Sequence, residues 1–288
     1  MVNKYEEWTT VKTVLITGTS SGIGLATAVA AAQAGWRAVA TMRDTSKADA
    51  LLKAAEAAGV RNRVEVRVLD VTDPISVETC LAQVVADHGG LDAVVNNAGA
   101  GHLGTIEEET VEDVRSVMEV NFFGVVQVTR AAMPLLRAAG GRLLAVTSVG
   151  GVVGQPFNEA YCAAKFAVEG FMESLAPVAA TVGVKVSVVE PGAVASEFVA
   201  NVGFDPTAEP APGPYAPALS AYLSHAMAAF GAAQTIEQAA ASIIEVLTAE
   251  QPAFRVQTSE AARRFTAVKL ADQDGSAVRA FTAPWVVK

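Results

Sequence analysis

The sequence predicts an α/β chain: one domain built on a doubly wound parallel sheet of about seven strands, with helices on both faces. Three observations lead there. Short apolar, β-branched runs alternate with alanine-rich stretches through the first two-thirds of the chain, the pattern of strand–crossover–strand units. With 288 residues, 51% of them hydrophobic, the chain is long enough to bury a full core. No internal repeat and no Ser/Gly linker breaks it, so residues 1–288 read as a single domain.

The elements follow in order. The first strand run is VKTVLIT (11–17), followed by a helix over 22–34 that stops at Gly35. Next come WRAVATM (36–42) with a helix at 46–58, and RVEVRVL (63–69) with a helix at 74–88. LDAVVNN (91–97) precedes one long helix at 109–138, and GRLLAVTS (141–148) precedes a helix at 158–182. VKVSVVE (184–190) is the sixth strand run, and a weaker seventh, AFRVQ (253–257), follows a helix at 235–249. Each crossover is expected to be right-handed.

One compositional break stands out. FDPTAEPAPGPYAP (204–217) is rich in proline and reads as an ordered loop or a lid. Beyond it Leu219, Tyr222, Leu223, Ala226, Met227 and Phe230 form one helical stripe. Residues 193–233 are therefore placed to cover a substrate, with 204–233 as a candidate lid; a core-facing or subunit-facing stripe is the equal alternative. His225 falls off the stripe and reads as solvated.

Charge and composition exclude several classes. Twenty-one Lys and Arg against 30 Asp and Glu give a net charge of -9, which would repel nucleic acid over most of the surface. The opening MVNKYEEWTT is charged where an export signal needs an apolar segment, so cytoplasmic residence is expected. Residues 210–236 contain no Asp, Glu, Lys or Arg, but four prolines with Ser220, Ser224, His225 and Gln234 argue against a membrane span. Cys80 and Cys162 are distant and read as reduced and buried. His88, His102 and His225 are too dispersed for a metal site, and His102 reads as an ordinary loop residue.

VLITGTSSGIG runs from a strand straight into a helix. Gly18 permits a sharp turn, Gly22 lets backbone N–H groups approach a pyrophosphate, and Gly24 lets the helix sit close to the sheet. The spacing is GxxxGxG, not the GxGxxG dinucleotide fingerprint, so a merely structural turn remains the alternative for the loop alone. At the end of the second strand, ATMRD places Arg43 where a 2′-phosphate would sit, with the Ser20 and Ser21 hydroxyls opposite. NADP(H) is favoured; Asp44 keeps NAD(H) open.

YCAAK (161–165) sets Tyr161 and Lys165 four residues apart, so on a helix they share a face. A free tyrosine titrates near 10, too high for an efficient base, and a nearby cation is expected to lower it. Ser148, at the end of the fifth strand, lies where ligands bind in open parallel sheets and can donate to a carbonyl oxygen.

TGTSSGIG (17–24), NNAG (96–99), Asn121 in VNFFG (120–124), Ser148, YCAAK and PGAVAS (191–196) together resemble the motif series of the short-chain dehydrogenase/reductase family, over about residues 12–200. ATMRD and the long segment after PGAVAS resemble its hydroxysteroid and retinol dehydrogenase branch. The resemblance implies a Rossmann-type sheet and a catalytic set: Tyr161 as acid/base, Ser148 polarising the carbonyl, Lys165 acting on the tyrosine and the ribose, Asn121 holding a relay water. It implies that the loop from Gly18 through Ile23 to Gly24 holds the cofactor, Asp70 and Val71 contact adenine, and Asn97 and Gly99 line the site. Pro191, Gly192, Val194 and Ser196 would contact the nicotinamide, Ser196 standing where threonine is more usual. The implied activity is interconversion of a small apolar ketone or aldehyde with its alcohol, in the reducing direction, by a homodimer or homotetramer. Pro177 departs from the pattern and should break hydrogen bonding late in the tyrosine-bearing helix. Alternatives are a ketoacyl or polyketide ketoreductase and a non-catalytic NADP-binding sensor.

Overall fold

Continuous runs of Val, Ile, Leu and Ala are what a strand needs when both of its faces are covered. The computed structural model, which describes residues 11–196 and 213–286, uses them that way. The strands are β1 (Thr13–Thr17), β2 (Arg37–Met42), β3 (Val64–Val68), β4 (Ala93–Asn96), β5 (Arg142–Val146), β6 (Lys185–Glu190) and β7 (Arg255–Gln257). They form one sheet in the order β3-β2-β1-β4-β5-β6-β7, and every pairing is parallel.

The helices are α1 (Gly22–Gln33), α2 (Asp49–Ala57), α3 (Pro74–His88), α4 (Val111–Met118), α5 (Gly124–Ala139), α6 (Glu159–Ala180), α7 (Ala216–Phe230), α8 (Ile236–Thr248), α9 (Glu260–Leu270) and α10 (Ser276–Thr282). Successive residues of a strand point to opposite faces. Leu15, Val94, Leu143 and Val188 accordingly pack with Val77, Val128 and Met172 of α3, α5 and α6. Val14, Ile16, Val95 and Leu144 pack on the other face with Ala28, Leu51 and Ile243 of α1, α2 and α8. The strand order reverses between β1 and β4, and that is where a parallel sheet opens a crevice at its carboxyl edge.

Several expectations are corrected. The helix expected over 109–138 is two helices joined by a π-helical turn, Glu119–Phe123. Within it Asn121 Nδ2 donates to Val117 O at 3.1 Å and to Ala100 O at 3.0 Å, so a side chain takes a carbonyl of the helical ladder. Pro177 sits inside α6, which runs on to Ala180, and as a proline it donates no hydrogen bond to the ladder there. The expected loop at 204–217 falls outside the described residues as far as 212, as do residues 197–212 of the expected covering segment. Within α7, Tyr222 is buried against Phe157 and Trp285, with Leu219, Leu223 and Ala226 around them. Met227, 59% exposed, and Phe230, 39% exposed, leave the far end of the stripe bare. His225 is exposed, yet its ring stacks on Trp285 at 4.5 Å between centroids. The C-terminal helices α9 and α10 lie beyond every predicted element and bring Trp285 back to α7.

Candidate active site

The glycine loop leaves β1 with Gly18 at φ +70° and Gly22 at φ +59°, both in the left-handed region. A Cβ on Gly24 would stand 2.1 Å from Gly18 O and 2.4 Å from Asn97 Nδ2, so the start of α1 touches the loop's own backbone. Thr19 N donates to Thr41 O at 3.0 Å, tying the loop to β2. Asn97 Nδ2 donates to Thr17 O at 2.9 Å and Gly18 O at 3.0 Å, tying it to β4. At Gly22 the nearest atom to an added Cβ is Ser196 Cβ, 3.6 Å away, which places the 191–196 turn across from the loop. Ser20, Met42, Arg43, Asp44 and Lys47 line a neighbouring groove of about 320 Å³. Asp44 Oδ1 is engaged by Ser46 N at 3.0 Å and Ser46 Oγ at 2.7 Å, capping the turn Thr45–Lys47. These hydrogen bonds hold the Asp44 carboxyl below its ordinary value. Backbone donors at the head of a helix, room for no side chain at Gly24, and two cations beside the adjoining groove fit a dinucleotide phosphate chain.

The residues after β5 and at the head of α6 converge. Ser148 Oγ accepts from Gly150 N at 3.0 Å and is hydrogen-bonded to Tyr161. A Cβ on Gly150 would be 3.4 Å from both Ser148 Oγ and Tyr161 Cε1, ordinary contact distance, which places the two side chains together beside this residue. Lys165 Nζ lies over the Tyr161 ring, 5.7 Å from its centroid, and donates to Val146 O at 3.3 Å. A Cβ on Gly99 would meet Asn121 Oδ1 at 2.8 Å and Lys165 Nζ at 3.3 Å, which places these two at one point. Asn121 also accepts from Ala100 N at 3.2 Å through Oδ1, so its side chain braces the 99–100 backbone.

Burial dominates the electrostatics. Desolvation pushes the Tyr161 phenol above its ordinary value, and the Ser148 hydrogen bond pulls the other way without prevailing. The expected depression rests on Lys165 together with an oxidised nicotinamide; with Lys165 alone, burial prevails, and the sequence displays that cation but not the desolvation. Desolvation also brings Lys165 down to about 8, opposed by Glu169.

The remaining predicted residues separate into two groups. Val149 N donates to Pro191 O at 2.9 Å, and Val194 pairs with Gln234 in an isolated bridge, so the 191–196 turn is stitched to the Ser148 turn and to the segment before α8. Gly192 lies against Ala262 of α9, 3.5 Å from a Cβ placed on it. Asp70 and Val71 stand further off. Asp70 Oδ1 accepts from Thr72 N at 2.9 Å, and Val71 is buried against Gly124 while its carbonyl accepts from Gln127 Nε2 at 2.9 Å. Sequence reasoning missed Lys47, legible as a second cation within MRDTSK, and Glu169, legible four residues after Lys165. It also missed Arg255, for which no local signal exists.

Among the described residues no group of His, Cys, Asp and Glu could hold a metal, and no helix is long and apolar enough to cross a membrane.

The family profile described as short chain dehydrogenase matches residues 12–206. Retinol dehydrogenase 8 of Homo sapiens is 35% identical over 274 residues, covering 92% of this chain and 87% of that protein. 17-beta-hydroxysteroid dehydrogenase type 1 of Homo sapiens is 38% identical over 271 residues, covering 91% of this chain and 82% of that protein. A short-chain dehydrogenase from Streptomyces avermitilis superposes with a TM-score of 0.77 at 33% identity, over 96% of both chains. A parallel sheet with a dinucleotide loop at its carboxyl edge, under that profile, defines a nicotinamide-dependent oxidoreductase acting on CH–OH and C=O groups. The chain belongs to the short-chain dehydrogenase family. Within that family it falls in the hydroxysteroid/retinol dehydrogenase-like branch.

Proposed function

We propose that this protein reduces an apolar ketone or aldehyde to its alcohol with NADP(H), Tyr161 supplying the proton. The observation that supports this reading most is the meeting of Ser148, Tyr161 and Lys165 beside the glycine loop at the carboxyl edge of the sheet. When bound, the nicotinamide provides the hydride. Ser148 and Tyr161, hydrogen-bonded to each other, offer two hydroxyls to one substrate oxygen. A phenol raised by burial is fully protonated at neutral pH, the form that donates to a developing alkoxide. Lys165 places a cation over the resulting tyrosinate and lowers the cost of forming it. Asn121 holds Ala100 and the adjoining turn beside the Lys165 ammonium, where a relay water would sit.

NADP(H) is favoured over NAD(H) because Arg43 and Lys47 both line the groove beyond β2, while Asp44 is committed to a cap and not to a ribose hydroxyl. Retinol and hydroxysteroid dehydrogenases act, by name, on large apolar alcohols. Phe157, Tyr222 and Leu219 offer an apolar wall of that kind here, and residues 193–233 would cover the bound substrate. Exposed Phe166 and Val178 on α6 suit a homo-oligomeric contact.

NADPH consumption with a series of apolar ketones tests the reading. Wild type should turn over, and Tyr161→Phe should lose about 10²- to 10⁴-fold in kcat while still binding NADPH; full turnover in the variant would remove Tyr161 from the mechanism. Replacing both Arg43 and Lys47 with Ala should collapse the preference for NADPH over NADH. An unchanged ratio would reject the phosphate assignment.

A further inference from the structure

We infer that Glu169, clamped by Thr147 and Arg255, is a positioning residue whose buried negative charge helps keep the Lys165 ammonium charged behind Tyr161. This rests on the reaction proposed above and extends it to residues outside the Ser148, Tyr161 and Lys165 set.

Glu169 follows Lys165 by one helical turn and lies on the same face of α6. Both are 4% exposed. Thr147 Oγ1 donates to Glu169 Oε1 at 2.5 Å, and Thr147 is the residue before Ser148. Arg255 Nη2 lies 3.0 Å from Glu169 Oε2, and Arg255 Nε lies 2.6 Å from Glu190 Oε1. Glu190 is fully buried and is the residue before Pro191, so one guanidinium from β7 holds the strand ends leading to both the Ser148 turn and the 191–196 turn. A Cβ on Gly151 would stand 3.1 Å from both Glu169 Cγ and Lys165 O, so α6 is drawn against the Ser148 turn at this height.

Charge balance explains why two carboxylates are kept inside. Isolated buried charges are costly and persist when paired. Counted without Lys165, the buried cluster sets Arg255 alone against Glu169 and Glu190. Counted with it, and above about pH 7 where Glu190 is ionised too, two cations stand with two carboxylates. Glu169 acts on Lys165 through the buried interior and not by direct contact, the ammonium itself donating to Val146 O. The titratable and charged groups around Lys165 are Tyr161 and Glu169 on its own helix, with Glu173 further along and exposed, and the linked Glu190 on β6 and Arg255 on β7. The π-helical turn and α4 bring the neutral Asn121 and the exposed Glu112, Asp113, Arg115 and Glu119; α9 brings only exposed charges.

Glu169→Gln is the direct test, because the amide oxygen still accepts from Thr147 while the charge is gone. The Lys165 side-chain resonance is followed against pH in 13C-lysine-labelled protein, assigned by its disappearance in Lys165→Arg. In Glu169→Gln the Lys165 titration should move down by about one pH unit, and the alkaline limb of kcat for ketone reduction should move with it. KM for NADPH should change far less than the alkaline limb of kcat, because Glu169 is bonded to Thr147 and Arg255 and not to the cofactor loop. Thr147→Val, nearly isosteric, removes the donor that favours ionised Glu169 and should move the same resonance in the same direction by less. This variant decides the matter if the Gln protein fails to fold. An unmoved Lys165 titration in a folded variant overturns the inference whether or not any ketone is turned over. Absence of turnover in wild type, with the titration shifted as expected, would instead count against the proposed reaction alone.

Discussion

At Gly24 the chain has no room for a methyl group. An alanine there would place its Cβ 2.1 Å from Gly18 O, in backbone that cannot swing aside. Gly24→Ala should cost about 1–3 kcal/mol, the range for overpacked sites, and weaken dinucleotide binding by separating α1 from the loop. Urea unfolding and an NADPH titration check both. This contact was legible, because a glycine where a helix leaves a strand implies close approach. Tyr161 and Lys165 were legible for the same reason, a fixed local spacing. The direction of the Tyr161 shift was not: desolvation depends on α6 lying against the Ser148 turn, which no run of residues around position 161 displays.

At the scale of elements, α6, β6 and β7 are joined through Arg255, and Glu190 in that junction is pushed up to about 7, by desolvation first, with Arg255 and Gln257 opposing. Its ordinary value is 4.5, so between about pH 4.5 and 7 the folded protein holds a proton the unfolded chain has released. A raised carboxyl contributes stability below the unfolded value and loses it as pH climbs through the folded one. Glu190→Gln removes that dependence, and relative to wild type it should gain up to about 3 kcal/mol as pH rises through this window, at about 1.4 kcal/mol per unit. Paired urea melts at pH 4.5 and 7.5 measure it; a difference that does not change with pH contradicts the assignment. The seven strands were readable because buried parallel strands are continuous apolar runs. The break between α4 and α5 was not, because 109–138 keeps helical spacing throughout and the interruption follows from the bonds Asn121 makes to Ala100 and Val117. α9 opens on Ser259, whose side chain accepts from Ala262 N at 3.1 Å, a cap present in the sequence and passed over there.

Taken whole, the molecule closes on itself: the last helices return to α7 and set Trp285 among Phe265, Phe281 and His225. Tyr222, whose hydroxyl accepts from Asn158 Nδ2 at 2.6 Å, links this cluster to the residue just before α6. Trp285→Ala should cost about 3 kcal/mol or more as a buried aromatic and raise KM several-fold for the bulkiest ketones, leaving NADPH affinity near its wild-type level. Steady-state kinetics across ketones of increasing size would show this, and a uniform effect on all of them would speak against α7 as a substrate wall. The family motifs end near residue 200 and gave no view of this return.

Arg255 stands 86 positions after the carboxylate it grips at Glu169. A nascent chain leaving the ribosome therefore completes every signature motif while its interior anions still await their counter-charge. The catalytic end settles late in synthesis, and a product cut short before β7 would own all the recognised motifs and lack the clamp that aligns them.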